Sequence, residues 1–141
     1  MKREILFRAK CSGVWRYGSY VHFDKKPIND CCNNKYKDFI VTNGVYGEHY
    51  YPITELSSLG QYTGLKDKNG KKIFKGDIVI ISNSLKAVVI WFNGSFRFKD
   101  ELSSKATYLD DIGAIMRDYD VQVIGNIHDT PELMKGGSNE T

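Results

Sequence analysis

"GQYTGLKDKNGKKIFKGDIV", Gly60 to Val79, sets five lysines, four glycines and two aspartates directly ahead of an apolar run. A phosphate loop, a cation loop, a nucleic-acid grip and a pair of turns feeding a core strand would all use such a composition. Spacing separates them. A P-loop places four residues between its glycines and follows with Lys and a hydroxyl, so that amides wrap phosphates and the hydroxyl reaches magnesium. Here five residues separate Gly64 from Gly70, and Lys71 is followed by Lys72. A calcium loop of EF-hand type starts with Asp67 and Asn69, but Gly70 comes too early, lysines follow and no glutamate closes it. The turn reading fits: Asn69-Gly70 supplies positive φ values, Lys75-Gly76-Asp77 makes a second turn, and Ile78–Ile81 reads as a buried strand.

Outward from this stretch the signals are those of strands and tight turns. A hairpin is expected from about residue 4 to 23, turning at Ser12-Gly13. Residues 24–35 lack periodicity and read as a loop. Asn43-Gly44 between two apolar runs predicts a type I′ hairpin turn, and Asn93-Gly94 predicts another. "PITELSS" suggests one helical turn begun by Thr54, and "QYTG" a short strand. Further strands are expected near 77–82, 85–92, 95–99 and 119–128. Leu109, Ile112 and Met116 stand at helical spacing, with Gly113 against a helix. Thr130 as N-cap and Pro131 at the first helical position predict a short C-terminal helix. The expected fold is mainly β: coiled antiparallel sheets with a small SH3-like, barrel-like part and a short C-terminal helix. We expect one domain over residues 1–141, with N-terminal hairpins at 1–58, the barrel-like part with its closing strand and helix at 59–135, and a flexible tail at 136–141.

The chain has 141 residues, 41% hydrophobic and 26% charged, which suits a globular domain large enough to bury a core. No apolar run approaches the roughly 20 residues of a membrane-spanning helix. Three cysteines, two of them adjacent, do not make a disulfide framework, so a cytoplasmic, reduced protein with no membrane partner is expected. Net charge is +3, unevenly spread. Residues 1–100 carry 17 Lys/Arg against 9 Asp/Glu (+8), and residues 101–141 carry 3 against 8 (−5). Such asymmetry fits attraction between the two parts, within one chain or between subunits, or an electrostatic face for nucleic acid.

Catalytic and metal chemistry find little support. Cys31 and Cys32 are adjacent and lack the gap that aims two sulfurs at one zinc ion. An enzyme would need two or more of His22, His49, His128 and the cysteines to converge. No nucleophile elbow is present, and the carboxylates of "DELSSKATYLDD" read as a solvated face. We expect no catalytic residues, metal, cofactor or small-molecule ligand. Nucleic acid is a stronger candidate: Lys66, Lys68, Lys71, Lys72 and Lys75 cluster at turns beside Tyr62 and Phe74, with Arg97 in the following meander. The same lysines also suit turns that stay soluble and guard sheet edges. Trp91 and Phe96 are expected in the core. Core or subunit packing accounts for Trp15, Tyr17 and Tyr20.

"LGQYTGLKDKNGKKIFKGDIV", Leu59 to Val79, resembles the signature segment of the YopX family, departing from it at Lys72, Phe74 and Lys75. "REILFRAK" and "GVWRYGSYV" resemble that family's opening strands, and "VIGNIHDTPEL", Val123 to Leu133, its closing block, with Thr130 where Asn is usual. Residues 24–58 and 100–120 match no motif of it. The resemblance implies a predominantly β fold, a phage or prophage origin and a bacterial cytoplasm, and it carries no catalytic residues. Gly60, Tyr62, Gly64, Asp67, Gly70, Gly76, Asp77, Gly125 and Asn126 become scaffold residues in this reading, Gly125 marking a bulge or a close backbone approach. The expected function is a non-enzymatic binding or assembly module. Its partner would be a second copy, another protein or nucleic acid, and an uncharacterised enzyme is the remaining alternative.

Overall fold

The computed structural model describes residues 4–24, 36–100 and 107–134. Cys31, Cys32, most of the expected 24–35 loop and the expected tail lie outside them. The chain forms two compact units, Met1–Tyr62 and Thr63–Thr141.

The first unit is a sheet of β1 (Phe7–Cys11), β2 (Val14–His22), β3 (Asp38–Gly44), β4 (Gly47–Pro52) and the start of β5 (Glu55–Lys66), ordered β4-β3-β2-β1-β5. The β1–β2 hairpin turns at Ser12 and Gly13, both with positive φ (54° and 79°), because the mirror-image turn matches strand twist. Alternation sends Phe7, Ala9, Cys11, Tyr20, Ile40 and Tyr51 into one cluster, joined by Ile53 and Leu59. On the opposite face Phe39 packs edge-on against Phe23 and Tyr50, with ring centroids 5.6 and 6.1 Å away. Trp15 and Tyr17 also lie on that face, across from Lys10 and Arg8. The Arg8 guanidinium stands 4.7 Å from the Trp15 ring.

Two expectations fail here. The β3–β4 hairpin exists, but Asn43-Gly44 are its last β3 residues, and Val45-Tyr46 form the turn between the paired Gly44 and Gly47. Cross-strand packing decides this register. It pairs the buried Phe39 with Pro52 and Val41 with Tyr50, whereas a turn centred on Asn43-Gly44 would set Glu48 opposite Phe39. Thr54 starts no helical turn: its hydroxyl accepts from the Ser12 amide (2.9 Å) and donates to the Lys10 carbonyl (3.2 Å), and β5 begins at Glu55. That strand runs twelve residues and absorbs the short "QYTG" strand.

In the second unit β6 (Lys72–Phe74) pairs with β5. A five-stranded antiparallel sheet follows, made of β7 (Asp77–Ile81), β8 (Leu85–Phe92), β9 (Ser95–Asp100), β10 (Thr107–Asp111) and β11 (Val121–Asn126), ordered β10-β9-β8-β7-β11. Among the described residues it is an open sheet, where the sequence suggested a barrel; β10 and β11 form its edges. The β8–β9 turn is Asn93-Gly94, with φ of 50° and 80°, as its type I′ signal requires. One face carries Val79, Ile81, Ala87, Val89, Phe96, Phe98, Val121 and Val123, closed by Ile73 and Ile112.

The helical spacing from Leu109 is interrupted. Thr107–Asp111 is strand, and helix α1 (Ile112–Asp118) starts only after Asp111, whose carboxylate caps the Gly113 amide at 2.8 Å. The expected C-terminal helix is a 3-10 turn, Pro131–Met134. The Thr130 hydroxyl reaches back rather than forward, accepting from the Asn126 amide and donating to the Asn126 carbonyl.

Candidate functional site

The opening stretch folds around Asp67. This residue is 6% exposed, and its carboxylate accepts three backbone amides: Asn69 at 2.8 Å, Lys71 at 2.9 Å and, from β11, Val123 at 2.9 Å. The Lys68 amide donates to the Val121 carbonyl at 3.0 Å, so the turn is stitched along β11. Burial opposes ionisation of Asp67, but the amides of Val123, Lys71 and Asn69 and the Lys71 charge outweigh it and hold its pKa below the usual carboxylate value. Gly70 adopts φ 84°, whereas Asn69 is not among the left-handed residues; its amide is instead bound by Asp67.

The second turn works the same way. Asp77 is buried and accepts the Phe74 amide at 2.7 Å. Gly76 (φ 93°) donates to the Val89 carbonyl and accepts from Ile127, pinning this turn between β8 and the chain after β11. Gly125 sits at a register shift in the β7–β11 ladder, and a Cβ there would meet the Thr130 hydroxyl and come within 2.9 Å of Leu133. Asn126 accepts the His128 and Asp129 amides through its side chain. Tyr62 is buried, Gly60 stands opposite Arg8, and Gly64 takes φ 90° in open space.

The proposed lysine grip divides. Lys66, Lys68 and Lys71 are exposed around the Asp67 turn, and Lys75 is exposed on the Gly76 turn. The three residues of β6 lie between the turns, a separation of roughly 13 Å at strand rise. Lys72 is half-buried. Asp118 and Asp120, both exposed, lie just before the Val121 that Lys68 contacts, so carboxylates share that end of the unit with the lysines. Tyr62 and Phe74 are buried and offer no ring for base stacking. Arg97 is half-buried, held by Ser95 at 3.1 Å and lying 6.0 Å from the Phe92 ring. It pairs with Ile90, on the sheet face opposite to the paired Trp91 and Phe96. Phe96 is buried as expected; Trp91 is 53% exposed, its ring edge-on to Phe96.

The histidines do not converge. His49 on β4 stacks with Tyr51, His128 lies beside Gly76, and His22 ends β2. Among the described residues no three His, Cys, Asp or Glu side chains form a metal-holding group. Cys11 is buried, its thiol directed to the carbonyls of Ala9 and Tyr51. Burial pushes its pKa up, against the pull of Arg16.

Two features were not anticipated. First, Asp38 Oδ1 accepts the Tyr20 hydroxyl (2.6 Å) and faces His22 Nδ1 (2.7 Å), while His22 Nε2 lies 3.2 Å from Asp24. The hydrogen bond to Asp38, with burial and that charge, pushes Tyr20 up to about 12, which makes it a poor nucleophile. Strand register alone creates this cluster, so no spacing in the sequence announces it. Second, Val45 and Tyr46 at the β3–β4 tip are 95% and 96% exposed. The flanking glycines Gly44 and Gly47 were the available signal, overshadowed by Asn43-Gly44.

Two antiparallel sheets, with Asp67, Gly70, Gly76 and Asp77 of the signature stretch spent on its turns, define a small, mostly β protein. The chain belongs to the YopX protein family, which matches residues 6–135. It is similar to the crystal structure of protein EF1440 from Enterococcus faecalis, at 23% identity and a TM-score of 0.51, over 95% of this chain and 100% of that one. That likeness concerns the fold alone. No curated protein matches the chain.

Proposed function

We propose that the protein is a non-enzymatic assembly module that joins a second copy of itself through the β3–β4 hairpin, in a bacterial cytoplasm and a phage or prophage setting. The observation that supports this reading is the tip, Val45 and Tyr46, almost wholly exposed, with Tyr50 half-exposed on the same hairpin. Exposed aromatic side chains without lysine match the composition of an interface centre. Residues 42–51 contain no Lys or Arg and one carboxylate, Glu48, beside His49.

β4 is also an edge of its sheet among the described residues. Gly44 and Gly47 close the two-residue turn, so by antiparallel alternation the backbone groups of Glu48 and Tyr50 face away from β3. Antiparallel pairing of two β4 strands about His49 sets each Glu48 opposite Tyr50 of the other copy and His49 opposite its counterpart, so the two Glu48 carboxylates do not face each other. Light scattering and sedimentation over a concentration series test this. A concentration-dependent dimer that Val45→Ser/Tyr46→Ser weakens is expected; a strict monomer at every concentration and salt refutes it.

A second reading, phosphate contact by Lys66, Lys68, Lys71 and Lys75, draws on their exposure. The neighbouring Asp118 and Asp120 weigh against it. Polarization assays with labelled duplex and single-stranded DNA would show salt-sensitive binding if it held, and no binding at low salt would end it.

A further inference from the structure

We propose that His22 is a proton-dependent clasp: as an imidazolium it bridges Asp38 at the start of β3 and Asp24 just beyond β2, and on losing its proton it releases Asp24. The argument is geometric and independent of how the protein assembles. Both ring nitrogens face carboxylate oxygens, Nδ1 at 2.7 Å from Asp38 and Nε2 at 3.2 Å from Asp24. A carboxylate accepts only, so both contacts need an N–H on both nitrogens, which only the cation provides. The neutral ring keeps one N–H. Asp38 retains it, because that contact is shorter and Asp38 is 17% exposed, whereas Asp24 is 95% exposed and rehydrates freely.

The groups facing His22 are these: Asp38 from β3, Asp24 from its own chain, and Tyr20, which donates to the same Asp38 oxygen at 2.6 Å. Lys37 adds its charge to Asp38 from the residue before. The hydrogen bond that His22 donates to Asp38 raises the His22 pKa above 6.5, in the direction the bridge requires. What the clasp fastens is visible next to it: the Phe23 amide donates to the Lys37 carbonyl at 2.8 Å, among the described residues the last rung joining β2 to the chain entering β3. Below the His22 titration Asp24 is tied through the ring to Asp38 across that rung; above it the rung keeps its backbone bond, the His22–Asp38 contact and the packing of Phe23 on Phe39, and loses only the tie to Asp24.

Side-chain nitrogen NMR of the full chain tests this, with His49 and His128 as references in the same spectra. His22 is expected to titrate above its value in Asp24→Asn and further above its value in Asp38→Asn. Protection of the Phe23 amide against hydrogen exchange, corrected for intrinsic rates, should fall by about two- to fivefold across that titration. In Asp24→Asn the fall should vanish, since an amide pairs with either form of the ring. The same His22 titration in wild type and both variants, or a Phe23 protection that ignores it, overturns the clasp. Loss of dimer formation leaves both readouts unaffected, so the two proposals fail separately.

Discussion

The carboxylate of Asp67 accepts the backbone amide of Val123, fifty-six positions along the chain, at 2.9 Å. This bond ties the turn after β5 to β11, and it makes Asp67 the residue on which the signature stretch depends. Replacing it with Ala leaves the Asn69, Lys71 and Val123 amides without an acceptor in a buried site. A loss of about 2 to 4 kcal/mol is expected in urea unfolding, large against the stability of a small domain. A loss under about 0.5 kcal/mol would show that water replaces the carboxylate at no cost.

The same residue sets a pH dependence. The folded pKa of Asp67 lies below its unfolded value, so its contribution is complete above the ordinary carboxylate range and is lost as pH falls through the folded pKa. Wild-type stability should therefore decline from about pH 5 downward, and the decline should be shallower in Asp67→Asn, whose amide cannot ionise. Parallel curves for the two proteins would remove Asp67 from the acid transition.

Two glycines should rank by what surrounds them. A Cβ at Gly18 would strike the Val41 carbonyl, with the carbonyl carbon at 3.0 Å, and backbone in a paired strand does not step aside. At Gly125 the obstacles are the Thr130 and Leu133 side chains, which have some freedom. Gly18→Ala is expected to cost more than Gly125→Ala, the latter about 1 to 3 kcal/mol. Gly13→Ala meets no atom within 4 Å but keeps φ 79°, at a cost of about 1 to 2 kcal/mol. Thermal melts of the three variants would give the order.

The hairpin tip separates association from stability. Val45 and Tyr46 bury almost nothing in one chain, so Val45→Ser/Tyr46→Ser should shift the unfolding midpoint by no more than about 0.5 kcal/mol per site. Any larger loss would mean that the tip packs within its own chain.

How far the sequence could be read depended on whether a signal was local. Asn93-Gly94 and Ser12-Gly13 were legible because the backbone conformation that each turn needs is written in its two residues. Asn43-Gly44 misled because a non-local force, the pairing of Phe39 and Val41 with Pro52 and Tyr50, outranked a local preference. Trp91 misled likewise: it alternates with the buried Val89 and pairs with the buried Phe96, yet it is exposed, and strand periodicity assigns a face without saying how far along it burial extends. The lysines and their two turns were visible in the sequence, yet the carboxylates beside the first turn arrived only when β11 came to lie along it. The Tyr20–Asp38–His22 cluster was out of reach for the same reason, since it exists only in the β2–β3 register.

Cys11 gives the first unit an internal clock. The thiol is enclosed between β1 and the Tyr51 carbonyl, and its raised pKa leaves little thiolate at neutral pH. A thiol reagent must wait for the sheet to open, so the labelling rate of the Cys11 peptide, read by mass spectrometry, measures how often that opening occurs. Any substitution or ligand that steadies the unit will register as slower labelling at this one atom, without denaturant.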